Sequence, residues 1–181
     1  KVTGQAVTVQ LSKGDLVDPL KALEMGQPGD VIVVDAGGDL NTSVCGGLMG
    51  GLAQNRGIRA MIVDGAGRDT DELEDINWPI WTRAITPRGT HTMFSGRKEE
   101  LSINVPIACG GVVVNPGDFI VADLMGVVVI PQELAEETVR LAQEQADREE
   151  ETRKWLSNPL ITATAAFQVS FSRFGVPRDK R

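Results

Sequence analysis

Short apolar runs, separated by glycine and proline, set the rhythm of this chain. The opening stretch Lys1-Val-Thr-Gly-Gln-Ala-Val-Thr-Val-Gln10 alternates apolar and polar positions, so residues 5–11 read as a strand. Asp15 to Met25 reads as a helix carrying Leu16, Leu20 and Leu23 on one face, ended by Gly26-Gln-Pro-Gly29. Asp30-Val-Ile-Val-Val-Asp35 is continuously apolar between its acids, the pattern of a strand buried on both faces. Ala36-Gly-Gly38 reads as a turn, and Asn41 to Asn55 as a helix with Gly57 as its stop. Ile58 to Val63 is a second buried strand, and the strand–helix–strand order predicts parallel pairing through a right-handed crossover.

Asp69 to Ile76 predicts a short helix and Pro79 to Thr86 a strand carrying Trp81. Residues 87–104 read as an irregular excursion. Strand signals then crowd together: Val112 to Val114 and Phe119 to Ala122 flank the turn Asn115-Pro-Gly-Asp118, and Gly126 to Ile130 follows. Pro116-Gly-Asp118 echoes Pro28-Gly-Asp30, which reads as shared turn chemistry and not a repeat. A long helix is expected from Gln132 to Leu156, acidic at Glu149-Glu-Glu151. In the tail, Phe167, Phe171 and Phe174 have helical spacing. These elements describe one α/β domain over residues 1–156 and a tail over 157–181, with the tail expected to pack on a neighbouring subunit.

Composition narrows the function. A net charge of −7 argues against direct nucleic-acid binding, while leaving a small anionic substrate or a basic protein partner open. Cys45 and Cys109 are too few for a disulfide framework, and a lone histidine, His91, rules out a multi-histidine metal site within one chain. No apolar run is long enough to span a bilayer and the first residues do not resemble a signal peptide, so the expected location is the cytoplasm.

The chemistry concentrates at Arg68-Asp69, after the strand 58–63 and a glycine-loosened turn. Ligands of α/β proteins bind at strand ends. A guanidinium there grips a carboxylate through two hydrogen bonds, and a carboxylate there holds a hard divalent cation. The competing reading is structural, because Asp69-Thr-Asp-Glu72 has the spacing of a capping box. Gly46-Gly-Leu-Met-Gly-Gly51 offers either backbone N–H groups to an anion or close helix packing. Asp35 and Asp123 read as turn caps, and Asp64 is near enough in sequence to pair with Arg68 and orient it.

Pro28-Gly-Asp-Val-Ile-Val-Val-Asp-Ala-Gly-Gly38, Asp64-Gly-Ala-Gly-Arg-Asp69, Gly110-Gly-Val112, Pro116-Gly-Asp118 and Ala122-Asp-Leu-Met-Gly-Val-Val-Val-Ile-Pro131 occur in order. Over residues 28–131 the chain thereby resembles the regulator of ribonuclease activity A (RraA-like) family. That family also contains the class II 4-hydroxy-4-methyl-2-oxoglutarate/4-carboxy-4-hydroxy-2-oxoadipate aldolases. The resemblance implies a single-domain "swivelling" β/β/α sandwich with a long C-terminal helix, assembled as a homotrimer or hexamer. It also implies a further helical segment before the first strand; the sequence opens at that strand, so it is expected to be a piece that omits this segment.

By the same resemblance, Arg68 binds the carboxylate of a pyruvyl group and Asp69 ligates Mg²⁺ or Mn²⁺. The backbone of Gly46, Gly47, Leu48 and Met49 holds the substrate. Glu149 or Glu151, from a neighbouring subunit, approaches the metal's waters. The implied activity is a divalent-metal-dependent lyase on 2-oxo acids, with oxaloacetate decarboxylation as a side activity. One departure matters. The aldolase signature is an acid, twenty intervening residues, then Arg-Asp; counting back from Arg68, the acid's place holds Gly47. This leaves two alternatives beside the aldolase: a non-enzymatic regulator of ribonuclease activity that binds protein, and an enzyme in which another residue replaces the lost acid.

Overall fold

A computed structural model describes residues 1–11, 17–90, 102–158 and 161–165. Among the described residues, the N-terminal unit, Lys1–Ala135, holds all the strands and the first three helices. In chain order these are β1 (Val2–Gln10), α1 (Val17–Met25), β2 (Val31–Cys45), α2 (Gly47–Asn55), β3 (Ala60–Gly67), α3 (Thr70–Asp75), β4 (Ile80–Ile85), β5 (Ile107–Cys109), β6 (Val112–Val114), β7 (Phe119–Asp123) and β8 (Gly126–Ile130). Six strands form one sheet in the order β4-β3-β2-β1-β7-β8. β1 to β4 pair in parallel, as the strand–helix–strand pattern predicts, while β7 joins β1 and β8 joins β7 antiparallel.

The unbroken apolar run of β2 explains the layering. Ile32 and Val34 point into one core with Leu23 of α1, Met49 and Ala53 of α2, and Leu73 of α3. Val31 and Val33 point the other way, into a second core with Ile107 of β5 and Val114 of β6. Helices therefore cover one face of the sheet and the β5–β6 hairpin covers the other. This is the expected α/β fold with two β layers.

Three local readings change. The helix expected from Asn41 begins at Gly47, because β2 continues through Gly37 and Gly38. Both glycines are left-handed, at φ 61° and 68°, and the pairing with β3 shifts register beyond Asp35, so the strand bulges without stopping. Thr42, Ser43 and Val44 then return to the core in extended conformation. The strands flanking the 115–118 turn part company: β6 pairs with β5, a strand the pattern did not reveal, and β7 enters the main sheet. The final helix opens with a 3-10 turn, Gln132–Leu134, before α4 (Ala135–Leu156).

The Pro-Gly-Asp echo is one turn used twice. Gly29 and Gly117 have φ of 103° and 85°. Asp30 Oδ2 accepts the Gln27 N–H and Asp118 Oδ2 accepts the Asn115 N–H, each at 2.8 Å. Asp35 and Asp123 do cap turns, accepting the N–H groups of Gly37 (2.9 Å) and Met125 (2.8 Å). At the other end of the helix layer, Arg56 donates to the Leu23 and Glu24 carbonyls at the close of α1, fixing that helix beside α2.

The second unit comprises Glu136–Arg181. Along α4, the pairs Glu149–Arg153 and Glu150–Lys154 link successive turns at 3.2 and 2.8 Å. Such exposed pairs contribute a few tenths of a kcal/mol each, roughly. Among the described residues, no helix is long and apolar enough to cross a membrane. Phe167, Phe171, Phe174 and His91 lie outside the described residues.

Candidate functional site

β3 ends at Gly67, and the chain turns through Arg68 and Asp69 into α3. Asp69 stands at the N-cap position of α3 with φ 51° and ψ 45°, a left-handed backbone that Asp tolerates better than most residues. Its side chain makes no capping hydrogen bond to α3. Instead Asp69 Oδ2 accepts the Gly47 N–H at 3.2 Å and lies 3.3 Å from Arg68 Nε. The capping-box reading therefore assigns Asp69 to the wrong helix. Gly46, the N-cap of α2, has no side chain to offer, and Asp69 supplies a carboxylate to that helix from 22 residues away. A negative group at a helix N-terminus also meets the positive end of its dipole.

The two glycines make this approach possible. A Cβ on Gly46 would lie 2.4 Å from Asp69 Oδ2 and 2.9 Å from Arg68 Cγ. A Cβ on Gly47 would lie 1.9 Å from Glu72 Oε2 and 2.8 Å from Glu72 Cβ. The space that a side chain at 47 would occupy is thus filled by the Glu72 carboxylate. Glu72 is the residue that sequence reasoning read only as a capping-box acid. The signal available was its place one helical turn after Arg68, next to a glycine in the signature acid's position.

Arg68 borders a cavity of about 250 Å³ whose walls include Leu20 of α1 and Leu48, Met49 and Leu52 of α2. Gly46 lines it as well, and Gly89 packs on the guanidinium, where an added Cβ would sit 3.1 Å from Nη1. Of the backbone groups expected to receive substrate, Gly47 N–H is already taken by Asp69. Leu48 and Met49, in the first turn of α2, have N–H groups with no partner inside the helix. Cys45 lies at the cavity but is no nucleophile: burial, helped by the charge of Asp69, pushes its thiol from 9.0 up to about 12.

Asp64 does not orient Arg68. It follows Ile62 on the hairpin face of β3, where its Oδ1 pairs with Arg83 Nη1 at 3.0 Å and its Oδ2 accepts the Gly110 N–H at 2.8 Å. That pair borders a separate cavity, also of about 250 Å³. On α4, Glu149 accepts from Gln145 and pairs with Arg153, and Glu151 is exposed.

Among the described residues, two carboxylates stand at the start of α2: Asp69, against Arg68 Nε and the Gly47 N–H, and Glu72, over Gly47. Among the described residues, no three His, Cys, Asp or Glu side chains converge as metal ligands. One or two carboxylates with the rest water suit Mg²⁺ or Mn²⁺. Zinc, which takes three or four nitrogen and sulfur ligands, does not fit.

The RraA-like family model, described as Aldolase/RraA, matches residues 1–129. A Halalkalibacterium halodurans protein called "Putative 4-hydroxy-4-methyl-2-oxoglutarate aldolase" is 42% identical over 165 residues, covering 91% of this chain and 76% of its own. Two solved structures share the fold. Streptomyces coelicolor RraAS2, an unusual member of the RNase ES inhibitor RraA family, has a TM-score of 0.73 and 34% identity, covering 84% of this chain and 77% of its own. The RNA-processing inhibitor RraA of Thermus thermophilus has a TM-score of 0.64 and 32% identity, covering 72% and 76%.

Two stability predictions follow from the ties to α2. Asp69→Ala removes the cap and lowers the unfolding free energy by about 0.5–2 kcal/mol in urea titration. Asp69→Asn keeps most of it, because an amide oxygen accepts the same N–H and Asn tolerates the left-handed backbone. Gly-to-Ala in a helix normally stabilises by about 0.5–1 kcal/mol. Gly47→Ala reverses the sign, destabilising by about 1–3 kcal/mol through overpacking against Glu72. In a Glu72→Ala background the penalty shrinks, and a double-mutant cycle reads the difference.

Proposed function

The chain belongs to the RraA-like (Aldolase/RraA) family, and we propose that within it this protein is a divalent-metal-dependent lyase acting on 2-oxo acids. It would resemble a 4-hydroxy-4-methyl-2-oxoglutarate aldolase and would also decarboxylate oxaloacetate. The observation that carries this reading is the juxtaposition of Arg68 and Asp69 at the N-terminus of α2, beside a cavity of about 250 Å³.

In this reading Arg68 binds the substrate's carboxylate with its terminal nitrogens, since Nε is committed to Asp69. The N–H groups of Leu48 and Met49 and the α2 dipole favour the same anion. Asp69 keeps the guanidinium in register and offers a carboxylate to Mg²⁺ or Mn²⁺. When bound, that cation supplies Lewis-acid polarisation of the 2-oxo group. Glu72 replaces the missing signature acid: its Oε2 occupies the space above Gly47 and exchanges a proton with the reacting group or a water beside it. A homotrimer or hexamer is part of the reading. It is supported by exposed apolar residues around the β7–β8 turn, Leu124, Met125 and Val128; light scattering showing a stable monomer would remove that part.

A second reading has its own observation. Gly47 replaces the signature acid, and two of the solved structures similar to this chain are an RNA-processing inhibitor and a member of an RNase-inhibitor family. Under it the protein regulates a ribonuclease by binding.

The deciding assay follows pyruvate release from oxaloacetate and from 4-hydroxy-4-methyl-2-oxoglutarate with Mg²⁺ or Mn²⁺, with and without EDTA. The lyase reading expects metal-dependent turnover that EDTA abolishes and added metal restores. Arg68→Ala lowers kcat/KM at least about tenfold, since one charge-assisted hydrogen bond contributes about 1.5–3 kcal/mol. Absence of turnover on both substrates, with no metal bound, leaves the regulator.

A further inference from the structure

We propose that the cavity on the hairpin face of the sheet is a second ligand site, and that its ligand is a small α-amino acid with a hydrocarbon side chain. The proposal does not rest on the lyase reading. Among the described residues, this cavity and the one beside Arg68 share no lining residue. The space, about 250 Å³, lies inside a curl of the sheet. β4 and β8 are the two outer strands, yet both line it. Trp81 Nε1 of β4 donates to the Asp123 carbonyl at the end of β7, at 2.9 Å, and ties the two sides of the curl together. The mouth of a curled or closed sheet is a preferred place for a small ligand.

The register of the parallel strands stacks two rows on this face. Val33, Ile62 and Trp81 are neighbours across β2, β3 and β4, and Val114, Ile120 and Val129 extend the apolar lining. Two residues further along β3 and β4, on the same face, stand Asp64 and Arg83. Arg83 Nη1 pairs with Asp64 Oδ1 at 3.0 Å. The guanidinium also lies against Gly38, where an added Cβ would sit 3.0 Å from Nη1, so it is held across the end of β3. The Arg83 side chain is 57% exposed and open to a solute, while Asp64 is 11% exposed. Nε and Nη2 make no hydrogen bond among the described residues and are free to donate. Asp64 keeps acceptor capacity beyond its bonds to Arg83 and the Gly110 N–H, because a carboxylate has about four lone-pair sites. A fixed cation and anion beside an apolar space match a zwitterion. The ligand's carboxylate takes the outer edge of Arg83 and its ammonium donates to Asp64. Its side chain then lies against Val33, Ile62 and Trp81, where a hydrocarbon gains burial and a polar group loses hydration.

The test is binding to the full chain by calorimetry and equilibrium dialysis. Its probes are alanine, valine and leucine, with two leucine analogues that each lack one charge, 4-methylpentanoate and 3-methylbutylamine. The expected result is a Kd that falls about two- to fourfold per added carbon from alanine to leucine, the factor for partial to full burial of one CH₂. Each analogue binds at least about tenfold more weakly than leucine, the loss of one charge-assisted hydrogen bond. Two variants locate the site, with thermal melts to confirm that each is folded. Arg83→Gln, at an exposed position, weakens leucine at least about tenfold. Val129→Phe fills the cavity from β8 and weakens leucine more than alanine. Absence of leucine binding to the unmodified chain overturns the proposal. So does a flat series from alanine to leucine, or either analogue binding as tightly as leucine. Leucine binding unchanged in both folded variants overturns it too. None of these outcomes bears on the lyase reading, whose residues lie on the helix face.

Discussion

The hydrogen bond from Gly47 N–H to Asp69 Oδ2 joins the two halves of the candidate site. It ties the end of β3 to the start of α2, two elements that adjoin only because β2 and β3 pair in parallel. Asp69 reaches that N–H because its backbone is left-handed, which turns the side chain away from the helix it precedes in sequence. The arrangement also fixes Arg68, whose Nε lies against the same oxygen. One carboxylate thus serves as helix cap and guanidinium anchor, and in the proposed lyase as cation ligand.

Glycine is required at 46 and 47 because of contact, not backbone freedom. Neither residue has the positive φ found at Gly37, Gly38, Gly29 and Gly117. Asp69 presses on the first and Glu72 on the second. The absence of an acid at 47 and the presence of the Glu72 carboxylate over it are therefore two sides of one packing arrangement. In the proposed function this relocates an acidic group without removing it from the site.

The sheet keeps its two charged sites apart. Alternation along β3 sends Asp64 to the hairpin face, where Arg83 and Gly110 N–H satisfy it. Arg68, just beyond the strand, serves the helix face. Its field is balanced by Asp69, while Cys45 nearby stays a neutral thiol.

The buried strands were legible in the sequence because they are continuous apolar runs bounded by turn residues. Val31 to Val34 and Ala60 to Val63 cannot satisfy hydrophobic residues on both faces except inside a layered sheet. The turns at 28–30 and 116–118 were equally legible, since glycine and aspartate act there through bonds within three residues. Arg68-Asp69 stood out because ionised residues directly after a buried strand are local features. The long-range outcomes were decided by tertiary structure. The chain around Gly37 and Gly38 can turn or bulge, and pairing with β3 selects the bulge. Asp69 has the spacing to cap α3, yet α2's N-terminus takes it; Asp64 is four residues from Arg68, yet the pleat gives it to Arg83. Glu72 gains its place over Gly47 only when α3 packs against α2. Each of these partners is 19 to 46 residues away along the chain, beyond the reach of any local pattern, and the fold alone brings them together.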